Sequence, residues 1–470
     1  MKKFLSLLLL LCFIPLPCLA NSWGLKGELY QAVSSVDTWN DYTTISTQVD
    51  DIAVMGSRYH NALMLVYDGE LKVYSTAVYQ PDKSDTPRPS LSGGNGIITL
   101  SYGEDEIYTF MDNGHNYQLT SAKIGNFLLT YDSATMCYYA SENGERVIAN
   151  HPFLLSSFNI DLFPRSLDDV RHLNLMNAAL EPGSYLLGQS NADSSFGIHL
   201  EGLGKGTTPV YSAPWTNSAW RASKGKAAVS LGDEFWAHAL YTNQDGETYA
   251  LIHYDVSQRT QRFGFISADV LGKHADSLSP TFYPLQVPLR AKRDTYLTDD
   301  PLVSQFHQFD VPADTLFTCF GLFSNDYAYV GAEVKDNSFV SGGKIVWGFV
   351  PLIDLELFCE PAESSILQSL SGRYLYHSGI EILHGAFILN DDGTYFCDNE
   401  FASPTQLMSS TQGRWTLYHN NGLFSDDCPY VIVFFSERGE TFVRGLSLED
   451  NVLTLDGPSG FGCYTFDPPA

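Results

Sequence analysis

The sequence predicts a mainly β, multidomain protein, and three observations carry that prediction. At 470 residues the chain is longer than one hydrophobic core organises, so it should divide into several domains. Aromatic residues make up 13% of it and fall in short runs bounded by Gly, Asn, Asp and Pro, the pattern of strands rather than helices. The third observation is a recurrence. Tyr211, Tyr249-Ala250-Leu251-Ile252, Gly264-Phe265-Ile266 and Asp269-Val270-Leu271 are echoed by Tyr296, Tyr327-Ala328-Tyr329-Val330, Gly348-Phe349-Val350 and Asp354-Leu355. The Tyr-to-Gly spacings agree to within one position, and the Gly-to-Leu spacings are the same. Two small β modules in tandem are therefore expected.

Residues 1–20 read as a secretory signal. Lys2 and Lys3 precede the apolar run Phe4 to Ile14, and Cys18-Leu19-Ala20 supplies small side chains at the cleavage positions. The apolar run is short for a membrane span, and no later stretch reaches that length. The expected location is secreted or periplasmic, in a bacterial cell envelope. Hydrophobic content of 44% against 17% charged residues fits an ordered chain. Its formal charge is −27, and losing Lys2 and Lys3 makes it more negative. Such a surface repels phosphate backbones and anionic membranes, which argues against nucleic acid as a partner.

Residues 21–164 read as an antiparallel β domain. Ala62 to Tyr67 and Glu70 to Tyr79 flank the turn Asp68-Gly69; Ile97 to Tyr102 and Glu106 to Phe110 flank Gly103-Glu104-Asp105. Pro81 to Gly96 has the composition of a surface loop. Residues 165–204 hold one helix and a connector. Ser166 and Asp169 have capping-box spacing, and Leu167, Val170, Leu173, Met176 and Leu180 recur on one helical face until Pro182-Gly183 stops it. That face is expected to dock on the N-terminal sheets.

The modules follow at 205–273 and 287–358. Strands are expected at Phe235 to Tyr241, Tyr249 to Tyr254 and Arg262 to Ile266, and again at Leu316 to Phe320, Tyr327 to Val330 and Lys344 to Val350. Tyr249-Ala250-Leu251-Ile252 before Gly264-Phe265-Ile266, and Tyr327-Ala328-Tyr329-Val330 before Gly348-Phe349-Val350-Pro351, resemble the motifs of bacterial Src-homology-3-type domains. In that family tryptophan often stands where Tyr249, Tyr327, Phe265 and Phe349 stand here. The resemblance implies small five-stranded barrels that bind peptide, protein or cell-wall material rather than perform chemistry. Residues 366–470 are again β, with about eight strands that would close on themselves. Gly413-Arg414-Trp415 and the hairpin Asp392-Gly393-Thr394-Tyr395 resemble lipocalin-like small barrels, which implies either a small apolar ligand inside or a barrel filled by its own side chains.

The residues suggest contact rather than turnover. Tyr211, Trp215, Trp220 and Trp236 in the first module, and Tyr296, Tyr327 and Trp347 in the second, are numerous for such small units; those left on a rim would stack on an extended peptide or sugar. His377, Glu381 and His384 would share a face only in a helix, which Gly379 and Gly385 interrupt. Cys428 precedes Pro429 and a strand-like run, not the helix start that activates a cysteine nucleophile. Ser341-Gly342-Gly343-Lys344 lacks phosphate-loop spacing, and no Gly-x-Ser-x-Gly elbow is present, so no cofactor or catalytic residue is expected. Cys359, Cys397, Cys428 and Cys463 are clustered late in an exported chain, and either disulfides among them or buried thiols are expected. The expected function is an exported non-enzymatic binding protein. The alternatives are a small apolar ligand in the C-terminal barrel and a hydrolase site in the N-terminal β domain.

Overall fold

A computed structural model describes residues 42–49, 52–57, 61–67, 70–77, 89–114, 117–149, 162–180, 198–218, 227–257, 260–278, 287–301, 307–323, 326–335, 338–339, 343–378, 381–397, 412–421, 424–437, 441–449, 452–456 and 462–467, with the single positions 27 and 31. The protein is mainly β. It divides into two compact units: Met1–Ala122 with Leu154–Asp161, and Lys123–Phe153 with Leu162–Ala470. The expected signal at residues 1–20 lies outside the described residues, as does Trp220.

The first unit holds a four-stranded meander, β1 (Tyr42–Val49), β2 (Ile52–Ser57), β3 (Asn61–Tyr67) and β4 (Glu70–Ala77). Tyr67 pairs with Glu70, and the expected turn residues Asp68 and Gly69 lie outside the described residues. β5 (Pro89–Gly94) and β6 (Ile97–Tyr102) follow, then β7 (Glu106–Asp112) and β8 (Tyr117–Ile124), whose last residues run into the second unit. The end of the expected surface loop is therefore a strand. Asn95 and Gly96, both at positive φ, make the two-residue turn that lets Pro89 to Gly94 pair back on β6.

In the second unit, β9 (Phe127–Asp132), β10 (Cys137–Glu142) and β11 (Glu145–Ala149) form a meander. Helix α1 (Leu167–Leu180) comes next. Ser166 Oγ accepts from the Asp169 amide at 3.1 Å, and the Asp169 carboxylate accepts from the Arg165 amide at 3.0 Å. Ser166→Ala should cost about 1 kcal/mol, read as a lower urea midpoint at unchanged slope. Leu173, Met176, Ala179 and Leu180 face one core with strands of the second module and of the barrel, and Asn174 Nδ2 donates to Ile148 O of β11. The helix is thus a central strut of the second unit, packed between β11, the second module and the barrel, and not only a cover for the preceding sheets. Sequence periodicity gives the apolar face but not the surface it meets.

The first module comprises β12 (Ile198–Leu200), β13 (Thr207–Pro209), β14 (Ala228–Ser230), β15 (Phe235–Thr242), β16 (Thr248–Ser257) and β17 (Thr260–Ser267). β12 lies where the sequence suggested only a connector. The second comprises β18 (Val287–Ala291), β19 (Thr295–Thr298), β20 (His307–Val311), β21 (Leu316–Phe323), β22 (Tyr327–Lys335), β23 (Ser338–Phe339), β24 (Lys344–Pro351) and β25 (Leu355–Leu357). The recurrence is structural. Leu251 pairs with Phe265 and Ile252 with Gly264; Tyr329 pairs with Phe349 and Val330 with Gly348. β15 carries a bulge between Ala237 and Ala239, and β21 carries one between Cys319 and Gly321, so His238 and Phe320 occupy equivalent places. Each copy then turns into a 3-10 segment, at Ala268–Ser277 and Leu352–Asp354. The opening tyrosines are not equivalent, however. Tyr211 bridges Phe265, and the residue that pairs with Phe349 is Thr298. The true alignment at this end is offset by two positions from the one the tyrosines suggest.

The two modules pack through matched contacts. Phe263 N donates to Asp299 O at 2.9 Å and Trp347 N to Ser212 O at 3.3 Å, and these four residues are equivalent in pairs. The Phe263 and Phe349 rings meet edge-on at 5.3 Å, and Phe265 and Trp347 do so at 5.4 Å. Phe263 meets Phe323 at 5.8 Å as Trp347 meets Tyr241 at 5.7 Å. This is a local two-fold arrangement inside one chain, with an aromatic seam along its axis. Arg262 Nε lies 2.8 Å from Asp299 Oδ2 at the edge of the seam, both side chains largely buried.

After α2 (Ser364–Leu370), eight strands close into a barrel: β26 (Gly372–Ser378), β27 (Glu381–Leu389), β28 (Thr394–Cys397), β29 (Gln412–His419), β30 (Tyr430–Ser436), β31 (Thr441–Glu449), β32 (Val452–Asp456) and β33 (Gly462–Asp467). β26 pairs with both β27 and β33, which removes the sheet edges. Alternation along β30 assigns the two faces. Ile432 and Phe434 point into the barrel with Tyr374, Phe387, Tyr395 and Trp415, while Val431 and Val433 point out into the core shared with α1. These side chains form one buried cluster inside the barrel.

Candidate functional site

A cleft of about 750 Å³ opens in the second unit between β11, the first turns of α1 and the rim of the barrel. Its floor includes Val147, Trp415, Ser436 and Thr441, all buried. Its walls carry Arg146, Arg171 and Arg414 with Glu145, Asp392 and Glu437. The local folding rules that place these groups are simple. Arg146 lies just beyond the positive-φ pair Asn143-Gly144 that turns β10 into β11. Arg171 sits one turn into α1. Arg414 is exposed on β29 beside the inward-facing Trp415, whose Nε1 donates to Asn390 O and Thr394 O at 3.1 Å and so pins the strand under the Asp391-Asp392-Gly393 turn.

The charges on the walls differ in how they are engaged. Arg171 is held by Glu145 at 2.7 Å and Asp168 at 3.1 Å, which together raise its pKa. The Glu437 carboxylate accepts from the Gln412 side chain. Asp392 accepts from the Thr394 hydroxyl and amide, and these bonds lower its pKa. Arg146 lies over the Tyr139 ring, 3.8 Å from its centre. Among the described residues neither Arg146 nor Arg414 has a carboxylate oxygen within ion-pair distance, and the attractions of Arg146 to Asp132 and of Arg414 to Asp392 act over a longer range. In a chain with 54 acidic and 27 basic residues, two guanidiniums left without such a pair in one concavity are conspicuous. They offer forked donors suited to a carboxylate or phosphate.

The aromatic residues singled out from the sequence lie elsewhere. Tyr296, Tyr327 and Trp347 are 6%, 2% and 3% exposed, so none of them forms a rim open to ligand. Tyr296 and Tyr327 approach through their hydroxyls at 3.2 Å, and Trp347 belongs to the seam between modules. Tyr211 meets Tyr249 edge-on, and Trp215 meets Trp347 and Tyr241 in the same way. Trp236 is half-buried and stacks flat on His253 at 4.7 Å. Of these residues Trp215 and Trp347 meet across the two modules, a demand that cannot be read from either module alone, while Tyr211, Trp236, Tyr296 and Tyr327 make their aromatic or hydroxyl contacts within one module.

His253 and His238 form a buried pair, Nδ1 to Nε2 at 2.6 Å. Burial pushes His238 down to about 3 and His253 to about 4, so both rings are neutral at neutral pH. A second histidine, His199, lies on the other flank of Trp236 at 5.1 Å, with its Nε2 3.0 Å from Glu234 and with Glu201 nearby. The remaining candidates dissolve. His377 and Glu381 sit on opposite arms of the β26–β27 hairpin and His384 farther along β27, so the three share no helical face. Cys428 is buried and leads into β30. Cys359, Cys397 and Cys428 stand as thiols, with no bridge among these three; the side chain of Cys463 lies outside the described residues.

The cleft was not foreseen because its arginines come from three distant segments. The available signal was their placement near glycines, the turn glycine of Asn143-Gly144-Glu145-Arg146 and the strand glycine of Gly413-Arg414-Trp415, within a strongly acidic chain. Compared with known proteins, the chain matches no family model and no curated protein.

Proposed function

We propose that the protein is an exported binding protein whose cleft receives a carboxylate-bearing peptide, of the kind found in cell-wall stems or at acidic protein termini. The observation that carries this reading is the pair Arg146 and Arg414, which line the cleft with no carboxylate in ion-pair contact among the described residues, Asp132 and Asp392 attracting them only from longer range. Arg171, braced by Glu145 and Asp168, adds a positioned third guanidinium. Ser436 and Thr441 on the floor, and the acids on the walls, suit the amide groups and any amine of the same peptide. The volume is of the order that takes a few residues of peptide. In this reading the two modules, which resemble bacterial Src-homology-3-type domains, and the lipocalin-like barrel supply a rigid frame. Recognition lies where the barrel rim meets β11 and α1, not on the module aromatics.

The test is calorimetric titration of the chain with acidic stem peptides and with the same peptides amidated at their carboxylates. Binding should need the carboxylates. The double variant R146A/R414A should weaken it by at least tenfold, since each charged hydrogen bond contributes about 1.5–3 kcal/mol. Equal affinity for the amidated peptides, or an unaffected double variant, would remove this reading. Both side chains are exposed, so their loss should leave the fold unchanged.

A further inference from the structure

We propose that His199, Glu201 and Glu234 form a binding site for a divalent transition-metal cation of the Zn²⁺ class, at the free edge of the first module and apart from the cleft. The donors are brought together by strand pairing. Ile198 pairs with Ala237, His199 with Trp236 and Leu200 with Phe235; the same register carried one step further sets Glu201 opposite Glu234. Alternation then puts His199, Glu201, Glu234 and Trp236 on one face of the β12–β15 ladder. One donor atom from each of the three ligating residues lies within 4.8 Å of the others, and His199 Nε2 is 3.0 Å from a Glu234 oxygen. Donors bound at about 2.0–2.2 Å around a tetrahedral zinc stand roughly 3.5 Å apart, so small side-chain rotations close the set.

Two further features separate this cluster from a chance gathering of surface acids. First, carboxylates directly opposite one another across a strand pair repel. Among the described residues neither Glu201 nor Glu234 reaches a Lys or Arg; Glu234 meets only His199, and Glu201 has no polar partner. A dication between them turns that repulsion into attraction. Second, the imidazole is held in place. Its ring lies 5.1 Å from that of Trp236, which stacks flat on the buried His253, itself bonded to His238. A ligand ring fixed from behind loses little freedom on binding metal, and the exposed side of the cluster leaves the remaining coordination positions to water or a ligand. One nitrogen and two carboxylates favour a borderline metal such as Zn²⁺ over Ca²⁺ or Mg²⁺, which prefer all-oxygen shells.

The experiment is equilibrium dialysis of the full chain, carrying no affinity tag, against Zn²⁺, with Co²⁺ as a spectroscopic substitute. One bound equivalent, a visible Co²⁺ band and a rise in melting temperature with Zn²⁺ are expected. His199→Ala should weaken Zn²⁺ binding by at least tenfold and abolish the Co²⁺ band, while His274→Ala, an exposed histidine on the 3-10 segment, should change neither. Glu234→Gln should lose the metal-induced rise but melt no lower than the parent without metal, because it removes a like-charge pair. Absence of bound Zn²⁺, or binding that survives His199→Ala, overturns the proposal.

Discussion

Gly348→Val should collapse the seam between the two modules and cost the second unit about 3 kcal/mol or more. Gly348 lies in β24 where β19 crosses it, with Thr298 paired to the next residue, Phe349. A Cβ at position 348 would meet Leu297 Cγ at 2.8 Å and the Thr298 carbonyl at 2.9 Å. The carbonyl is backbone and has no rotamer to escape into, and Leu297 is fully buried. Relief therefore requires β19 to move away from β24. That motion separates Phe349 from Phe263 and disturbs the Trp347 amide bond to Ser212, so the damage reaches both modules. The measurement is urea unfolding followed by tryptophan fluorescence, since Trp347 sits in the seam. A lower midpoint at unchanged slope is expected. Gly204→Ala is the control: its added Cβ meets nothing within 4 Å, and its effect should stay within about 0.5 kcal/mol. A Gly348→Val protein as stable as the parent would show that the close crossing of β19 and β24 does not exist.

The recurrence itself was legible because it is written in a strand register. Tyr-Ala-Leu-Ile and Tyr-Ala-Tyr-Val each pair residue by residue with Gly-Phe-Ile and Gly-Phe-Val, and a shift of one position would turn every side chain to the wrong face. The ends of the repeat were less legible. Tyr211 and Tyr296 are the same residue type at matching distances, yet Thr298 is the structural counterpart of Tyr211. Chemical identity misled there because the first module needs an aromatic against Tyr249, whereas Tyr296 reaches Tyr327 by its hydroxyl from a different place in the strand. Closure of the last eight strands followed from their count and turns. The ring contacts inside the barrel, such as Phe387 and Tyr395 against Phe434, did not, because alternation says which residues point inward without saying which of them meet. Least legible were the relations between segments far apart in sequence: α1 against β31, Arg146 beside Arg414, Phe263 against Phe349. No local pattern encodes them, since each pair is set by how finished elements pack.

Below pH 6.5 the protein should lose stability through its buried histidines, and a two-residue transplant from the second module should remove much of that loss. The cause is the His238–His253 pair. In the folded chain burial holds the two rings down to about 3 and about 4, while in the unfolded chain each returns to the ordinary value near 6.5. The unfolded state therefore binds more protons below pH 6.5, and stability falls with pH from there until the folded-state values are passed. Counting one proton for the coupled pair, the loss by pH 4 is about 3 kcal/mol. His172, pushed down to about 4 mainly by burial while its ring bonds to the Leu355 carbonyl, adds to the same trend. The equivalent positions in the second module are Phe320 and Gly331: Phe320 sits in the matching bulge, and Gly331 pairs with Trp347 as His253 pairs with Phe263. Gly331 has no side chain because Phe320 and Trp347 fill the space a Cβ would take. The two modules thus solve one packing problem twice, with a bonded pair of imidazoles in one and a phenyl ring over a glycine in the other. H238F/H253G copies the second solution into the first. It should fold at pH 7.5 with a modest cost for the strand glycine, about 1 kcal/mol, and its urea midpoint should fall less between pH 7 and pH 4 than the parent's. Equal pH dependence in the two proteins would place the acid sensitivity in other groups and remove the histidine pair from the account.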